Sequence, residues 1–180
     1  MKLRLLENHW RPAAAAAAVV AVCVAGAIAY RNSQSGPVSV SVPRSVATDA
    51  ASQCAKLLGG LPASIDGLKP RTTSPKSTLT AAWGTPAMTL RCGVSAPGKI
   101  TPGADDYDPL KAEMLSVDNV TWLAEGESGG MRFTTAYRHT FVQVHVPLTG
   151  MKAGERLTDL AAPIIASIPD RDGNYVADKD

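Results

Sequence analysis

The uncharged stretch at residues 13–30 limits this chain more than any other feature. As a helix rising about 1.5 Å per residue it reaches roughly 27 Å, close to the thickness of a bilayer's hydrocarbon core. Lys2, Arg4 and Arg11 precede it and only Arg31 follows closely. The positive-inside rule then leaves the N-terminus in the cytoplasm and sends the rest of the chain outside. A helix packed on one side of a core is amphipathic, whereas this stretch is apolar on every face. It is therefore read as a transmembrane or signal segment, with residues 1–12 as a basic cytoplasmic tail. Ala27-Ile28-Ala29 has the small-x-small form of a cleavage site. Secretion after cleavage near Ala29 is thus the alternative to a single-pass anchor in the cell membrane. Cys23 follows Val22 rather than the Gly, Ala or Ser usual before a lipidated cysteine, so a lipoprotein is not the preferred reading.

Export would place Cys54 and Cys92 in an oxidising compartment, and an even pair there points to one disulfide, with two free thiols as the alternative. Closing a loop of this size contributes about 4 kcal/mol on the chain-entropy model. Neither a CxxC pattern nor a nearby His pair accompanies them, so no metal site is expected. The formal charge of +2 comes from Lys2, Arg4 and Arg11 against Glu7; setting these aside from 18 basic and 16 acidic residues leaves 15 of each. A balanced domain lacks the basic footprint of a phosphate-neutralising protein, and nucleic acid is not an expected partner.

Residues 31–47, rich in Ser, Val, Gly and Pro, read as an extended linker, and the domain is expected to occupy 48–169. Thr48 or Asp49 can cap a helix carrying Ala51, Cys54, Ala55 and Leu58 on one face and stopped by Gly59-Gly60. Residues 61–77 hold Pro62, Gly67, Pro70 and Pro75 and read as a loop with one tight turn at Asp66-Gly67. Strands are predicted at 79–83, 87–94, 117–124, 131–137 and 140–146, with a second loop from 95 to about 110. Alternation in the second strand turns Cys92 inward and Arg91 outward. Leu157, Leu160, Ala161, Ile164, Ile165 and Ile168 form a final helical stripe, with Pro163 expected to kink it. Short links demand antiparallel pairing. The expected fold class is α+β: an antiparallel sheet of about five strands with two helices packed on one face. Residues 170–180 are polar and read as a disordered tail.

Cys54 with Leu57-Leu58 and Leu61-Pro62, then Ala82-Trp83-Gly84-Thr85-Pro86, then Leu90-Arg91-Cys92-Gly93-Val94, are followed by Val120-Thr121-Trp122, Phe133-Thr134-Thr135, Arg138, and Val142 to Pro147. In this order, over roughly two thirds of the chain, the pattern resembles the actinobacterial envelope proteins of the domain of unknown function 3515 family. The resemblance implies a membrane-attached or secreted protein of an actinomycete-type envelope. It supplies no activity and no catalytic residues to carry over.

One cluster of residue types suggests a ligand face: Trp83, Arg91, Trp122, Arg132, Tyr137 and Arg138 all fall on or beside predicted strands. On the sheet face away from the helices, their guanidinium forks and rings would suit an anionic or carbohydrate envelope component. The competing and preferred reading buries both tryptophans in the core and leaves the arginines as solvated strand positions. His139 and His145 are about 20 Å apart along one extended run, too far to share a metal. Asp105, Asp106, Asp108 and Glu113 lack the spacing and glycine of an EF-hand and read as a solvated acidic loop. No G-x-S-x-G, Ser-x-x-Lys or phosphate loop is present.

These features point first to a non-enzymatic binding or accessory module of the cell envelope, without cofactor, meeting an envelope protein or cell-wall component. The second expectation is an envelope hydrolase or transferase whose site is assembled in space from residues such as Asp105, Asp106 or His139, which motif reading cannot see. The third is a structural subunit whose exposed strand edge pairs with a neighbour.

Overall fold

The computed structural model of the chain describes Cys23 and residues 36–148 and 151–171. The chain divides between Gly36 and Pro37 into two compact units, and the second is described here. The expected membrane or signal segment at 13–30 lies outside the described residues apart from Cys23, which is exposed and free of any disulfide. Among the described residues no helix is long and apolar enough to cross a membrane.

Strand β1 (Val38–Ser39) leads to helix α1 (Thr48–Gly59), and strands β2 (Pro70–Arg71), β3 (Thr73–Ser74), β4 (Thr80–Trp83) and β5 (Met88–Val94) follow. Strands β6 (Glu113–Val117), β7 (Val120–Glu127), β8 (Gly130–Thr135) and β9 (Phe141–Val146) come next, then helices α2 (Met151–Glu155) and α3 (Thr158–Ser167). The main sheet has seven strands in the order β2-β4-β5-β9-β8-β7-β6. Every neighbouring pair in it is antiparallel.

The α+β class and the antiparallel pairing are as expected, but the sheet is larger than five strands. Strand β6 has no counterpart among the predicted strands, where 113–116 falls between the loop ending near 110 and the strand at 117–124, because its alternation is faint: it is an edge strand, and its side chains run from half-buried to exposed. Its hairpin with β7 turns on Asp118 and Asn119, both at positive φ (44° and 64°), the conformation that tight two-residue hairpins require and that Asn and Asp tolerate best. Strand β2 escaped notice because it is two residues long and begins with Pro70, a residue confined to sheet edges by its missing N–H. The turn expected at Asp66-Gly67 is present, with both residues at positive φ and Ile65 bridged to Leu68.

Register sorts the side chains by face. Met88, Leu90 and Cys92 of β5, Val142, Val144 and Val146 of β9, Phe133 of β8 and Trp122 of β7 fill one side. Against them pack Cys54 and Leu57 of α1 and Leu160, Ala161 and Ile164 of α3. The inward stripe of α1 thus uses Leu57 where Ala55 was expected; Ala55 is exposed. No side chain caps α1, whose N-cap is Ala47 rather than Thr48 or Asp49. Cys54 and Cys92 form the disulfide that ties α1 to β5, with Cα atoms 5.6 Å apart. Lys56 Nζ donates to the Ala166 carbonyl at 2.5 Å and so holds the end of α1 against that of α3.

Residues on either side of 48–169 also make contacts with the sheet. Val38–Ser39, ascribed to the linker, pairs in parallel with Thr73–Ser74, and Val40 is buried. Ser41 then accepts a hydrogen bond from Arg91 Nε (2.8 Å). Val46 lies against Gly93, where a Cβ would come within 2.9 Å of its Cγ1. Gly93 has φ +84° and marks a bulge between Cys92 and Val94, a place that favours glycine. At the other end Asp170 and Arg171, assigned to the tail, are bonded to the β8–β9 turn through Arg138 Nε and the Tyr137 carbonyl. Residues 172–180 lie outside the described residues.

Candidate functional site

The sheet face away from the helices is polar because alternate residues of the central strands face it. Across it Arg91 pairs with Gln143 and Gln143 with Thr134, while His145 pairs with Arg132 and Arg132 with Glu125. Arg91 Nη1 donates to Gln143 Oε1 (3.0 Å), and Gln143 Nε2 reaches Thr134 Oγ1 (3.5 Å). Arg132 is held between Glu125 (3.2 Å) and Glu127 (3.4 Å). Glu127 also lies 3.1 Å from His145 Nδ1, and Lys99 Nζ stands 3.9 Å from Glu125. These pairs are partly exposed, so each contributes at most about 1 kcal/mol to stability. Their effect is to fix the direction of long side chains over the sheet.

Two segments rise around this floor. One is the N-terminal strap at Pro43 and Arg44; the other is the loop after β5, from Ser95 to Gly98, with Asp106 folded back beside it. Between them lies a cavity of about 410 Å³ whose lining is mostly polar, a volume within the range of small-ligand pockets. Gly98 permits the closure, because the Asp106 carboxylate occupies the space a Cβ there would take. Of the residues around the cavity, Arg91, Arg132, Gln143, Thr134 and Glu125 form the floor, and Arg44 and Asp106 stand on the walls.

The six residues singled out from the sequence do not share a surface. Trp83 and Trp122 are on the helix side and buried, at 2% and 0% exposure. Arg91 and Arg132 line the polar cavity. Tyr137 and Arg138 belong to the turn between β8 and β9, and Tyr137 has φ +56°. Arg138 is 3% exposed and binds the Ile168 carbonyl (2.9 Å), the Asn119 carbonyl (3.3 Å) and Asp170 (3.1 Å). Burial lowers its pKa below the ordinary arginine value, and the Asp170 charge opposes that shift. Its place is structural: it ties the end of α3 to the β6–β7 turn.

Gln143, Thr134 and Arg44 were not singled out. Gln143 and Thr134 sit at outward positions of strands whose inward neighbours are strongly apolar, a signal that alternation carries. For Arg44 the only signal was a charge in a segment otherwise read as spacer. Of the residues named for an assembled acid–base pair, Asp106 lines the cavity. His139 does not; it is exposed in the β8–β9 turn, where its backbone N–H donates to the Pro169 carbonyl. Among the described residues no group of three or more His, Cys, Asp or Glu side chains is placed to hold a metal ion.

A second, apolar cleft of about 590 Å³ lies between β6 and α2, lined by Leu115, Ala124, Met131 and Phe133 among others. No curated protein matches the chain, and no solved structure matches it. One family model does, over residues 13–173, and it spans both the sheet with its cavity and the disulfide: the chain belongs to the family described as protein of unknown function (DUF3515).

Proposed function

We propose that this protein is a non-enzymatic binding or accessory module of the cell envelope, carried across the membrane or held at it by residues 13–30. Its polar sheet face meets an envelope protein or a cell-wall component. The observation that supports the reading is the cavity over Arg91, Gln143, Thr134 and Arg132, whose floor side chains are oriented by mutual hydrogen bonds and ion pairs. Preoriented polar groups lower the ordering cost of binding. The disulfide supports an exported location, since such bridges persist in oxidising compartments.

A photo-crosslinking residue placed at Ser95, an exposed position on the cavity wall, tests this in intact cells. The same group at Lys152, exposed on α2 and outside the cavity, is the control. Capture of one class of envelope molecule from Ser95 and not from Lys152 is expected. Equal capture from both positions, or recovery of the protein from cytosol with Cys54 and Cys92 open to alkylation, would overturn the reading.

A further inference from the structure

The charges around the cavity are not all spent on one another. Glu125 is engaged by Arg132 and, more loosely, by Lys99, and Arg132 is further engaged by Glu127. Arg91 uses Nε on Ser41 and Nη1 on Gln143, leaving Nη2 without a hydrogen bond among the described residues. Arg44 and Asp106 line the same cavity, carry opposite charges and make neither a hydrogen bond nor an ion pair among the described residues. Among the described residues the site therefore offers unpaired positive charge from the strap side and unpaired negative charge from the loop side, above a floor that includes the Gln143 amide and the Thr134 hydroxyl.

Deepening the binding-module reading and resting on it, we propose that the cavity takes a short zwitterionic ligand of the amino acid or peptide class. Arg44 and Arg91 receive its carboxylate, Asp106 its ammonium group, and Gln143 and Thr134 its peptide groups. A purely anionic ligand would meet Asp106 with repulsion, and a neutral sugar would leave Arg44 and Asp106 to water. A ligand with both charges matches the site while adding no net charge to it, and charge-assisted hydrogen bonds are the stronger kind.

Trialanine, N-acetyl-trialanine and trialanine amide are suitable probes, titrated calorimetrically into the full-length chain. Trialanine is expected to bind, and blocking either end to weaken it about tenfold, the loss that one charge-assisted hydrogen bond carries. Asp106→Asn removes the penalty of acetylation, and Arg44→Gln reduces the penalty of amidation to what Arg91 alone supplies; Arg44 and Asp106 are exposed and both variants should fold. Equal binding of all three peptides, or no heat from any of them to a protein that circular dichroism shows folded, overturns the assignment. Where Ser95 still crosslinks a non-peptide partner, only the zwitterionic assignment falls. Where Ser95 captures nothing as well, the binding-module reading falls with it.

Discussion

Arg138→Met is expected to lower the domain's stability by about 2–4 kcal/mol. The figure follows from three contacts and one credit. Two backbone carbonyls, Ile168 O and Asn119 O, lose charged donors at 2.9 and 3.3 Å, and such bonds contribute roughly 1.5–3 kcal/mol each. The Asp170 pair adds little, because the carboxylate side is 70% exposed and screened pairs of this kind are worth about 0–1 kcal/mol. Against these losses stands the desolvation that already depresses the Arg138 pKa, a cost that a methionine of similar length escapes. Trp83 and Trp122 are buried, so urea unfolding followed by tryptophan fluorescence reads the change directly. The melting temperature should fall by roughly 3 °C per kcal/mol for a domain of this size. Asp170→Asn, by contrast, should shift stability by less than about 1 kcal/mol. If Arg138→Met lies within about 1 kcal/mol of the parent, or Asp170→Asn is equally damaging, the residue is not the tie between α3 and the β6–β7 turn described above.

Removing the disulfide by the paired change Cys54→Ala with Cys92→Ala should cost about 4 kcal/mol, given a sequence separation of 38; a urea midpoint unchanged from the parent would contradict that. Trp122 Nε1 is buried without a partner among the described residues, so Trp122→Phe sheds an unsatisfied donor and should change stability by no more than about 1 kcal/mol, whereas Trp122→Ala should cost roughly 3–5 kcal/mol. Equal losses in the two urea curves would show that the indole N–H has a partner after all. Gly93→Ala meets both a φ of +84° and Val46, and a loss of about 1–3 kcal/mol is expected, with faster amide exchange in residues 38–46 marking release of the strap.

The elements that could be read from the sequence are those whose two faces differ most. Strands β5 and β9 alternate sharply, with Leu90 and Val144 inside and Arg91 and Gln143 outside, and both were placed close to their observed limits. The stripe of α3 was equally plain, although Ile165 is 45% exposed. Where burial grades weakly, as along β6, the pattern had nothing to report, and Val117 was absorbed into β7 across a turn of Asp118 and Asn119. The cavity was harder still. Its floor comes from β5, β9, β8 and β7, and two of its walls from segments classed as linker and loop. Composition describes what such segments contain, while their position depends on tertiary bonds such as Arg91 to Ser41. The two tryptophans drew notice through residue type alone, and strand register then assigned them to the interior.

The strap at residues 37–46 gives the molecule an asymmetry. It holds by a two-residue parallel ladder, the burial of Val40, one guanidinium bond and the fit of Val46 to Gly93, whereas α1 is moored to β5 by a covalent bridge. Tension arriving from upstream, or a proteolytic nick between Pro37 and Val46, would therefore strip the bank that bears Arg44 before it disturbed the interior. Occupancy of the cavity and integrity of the leash are in this way joined, and the fold beneath can outlast the loss of both.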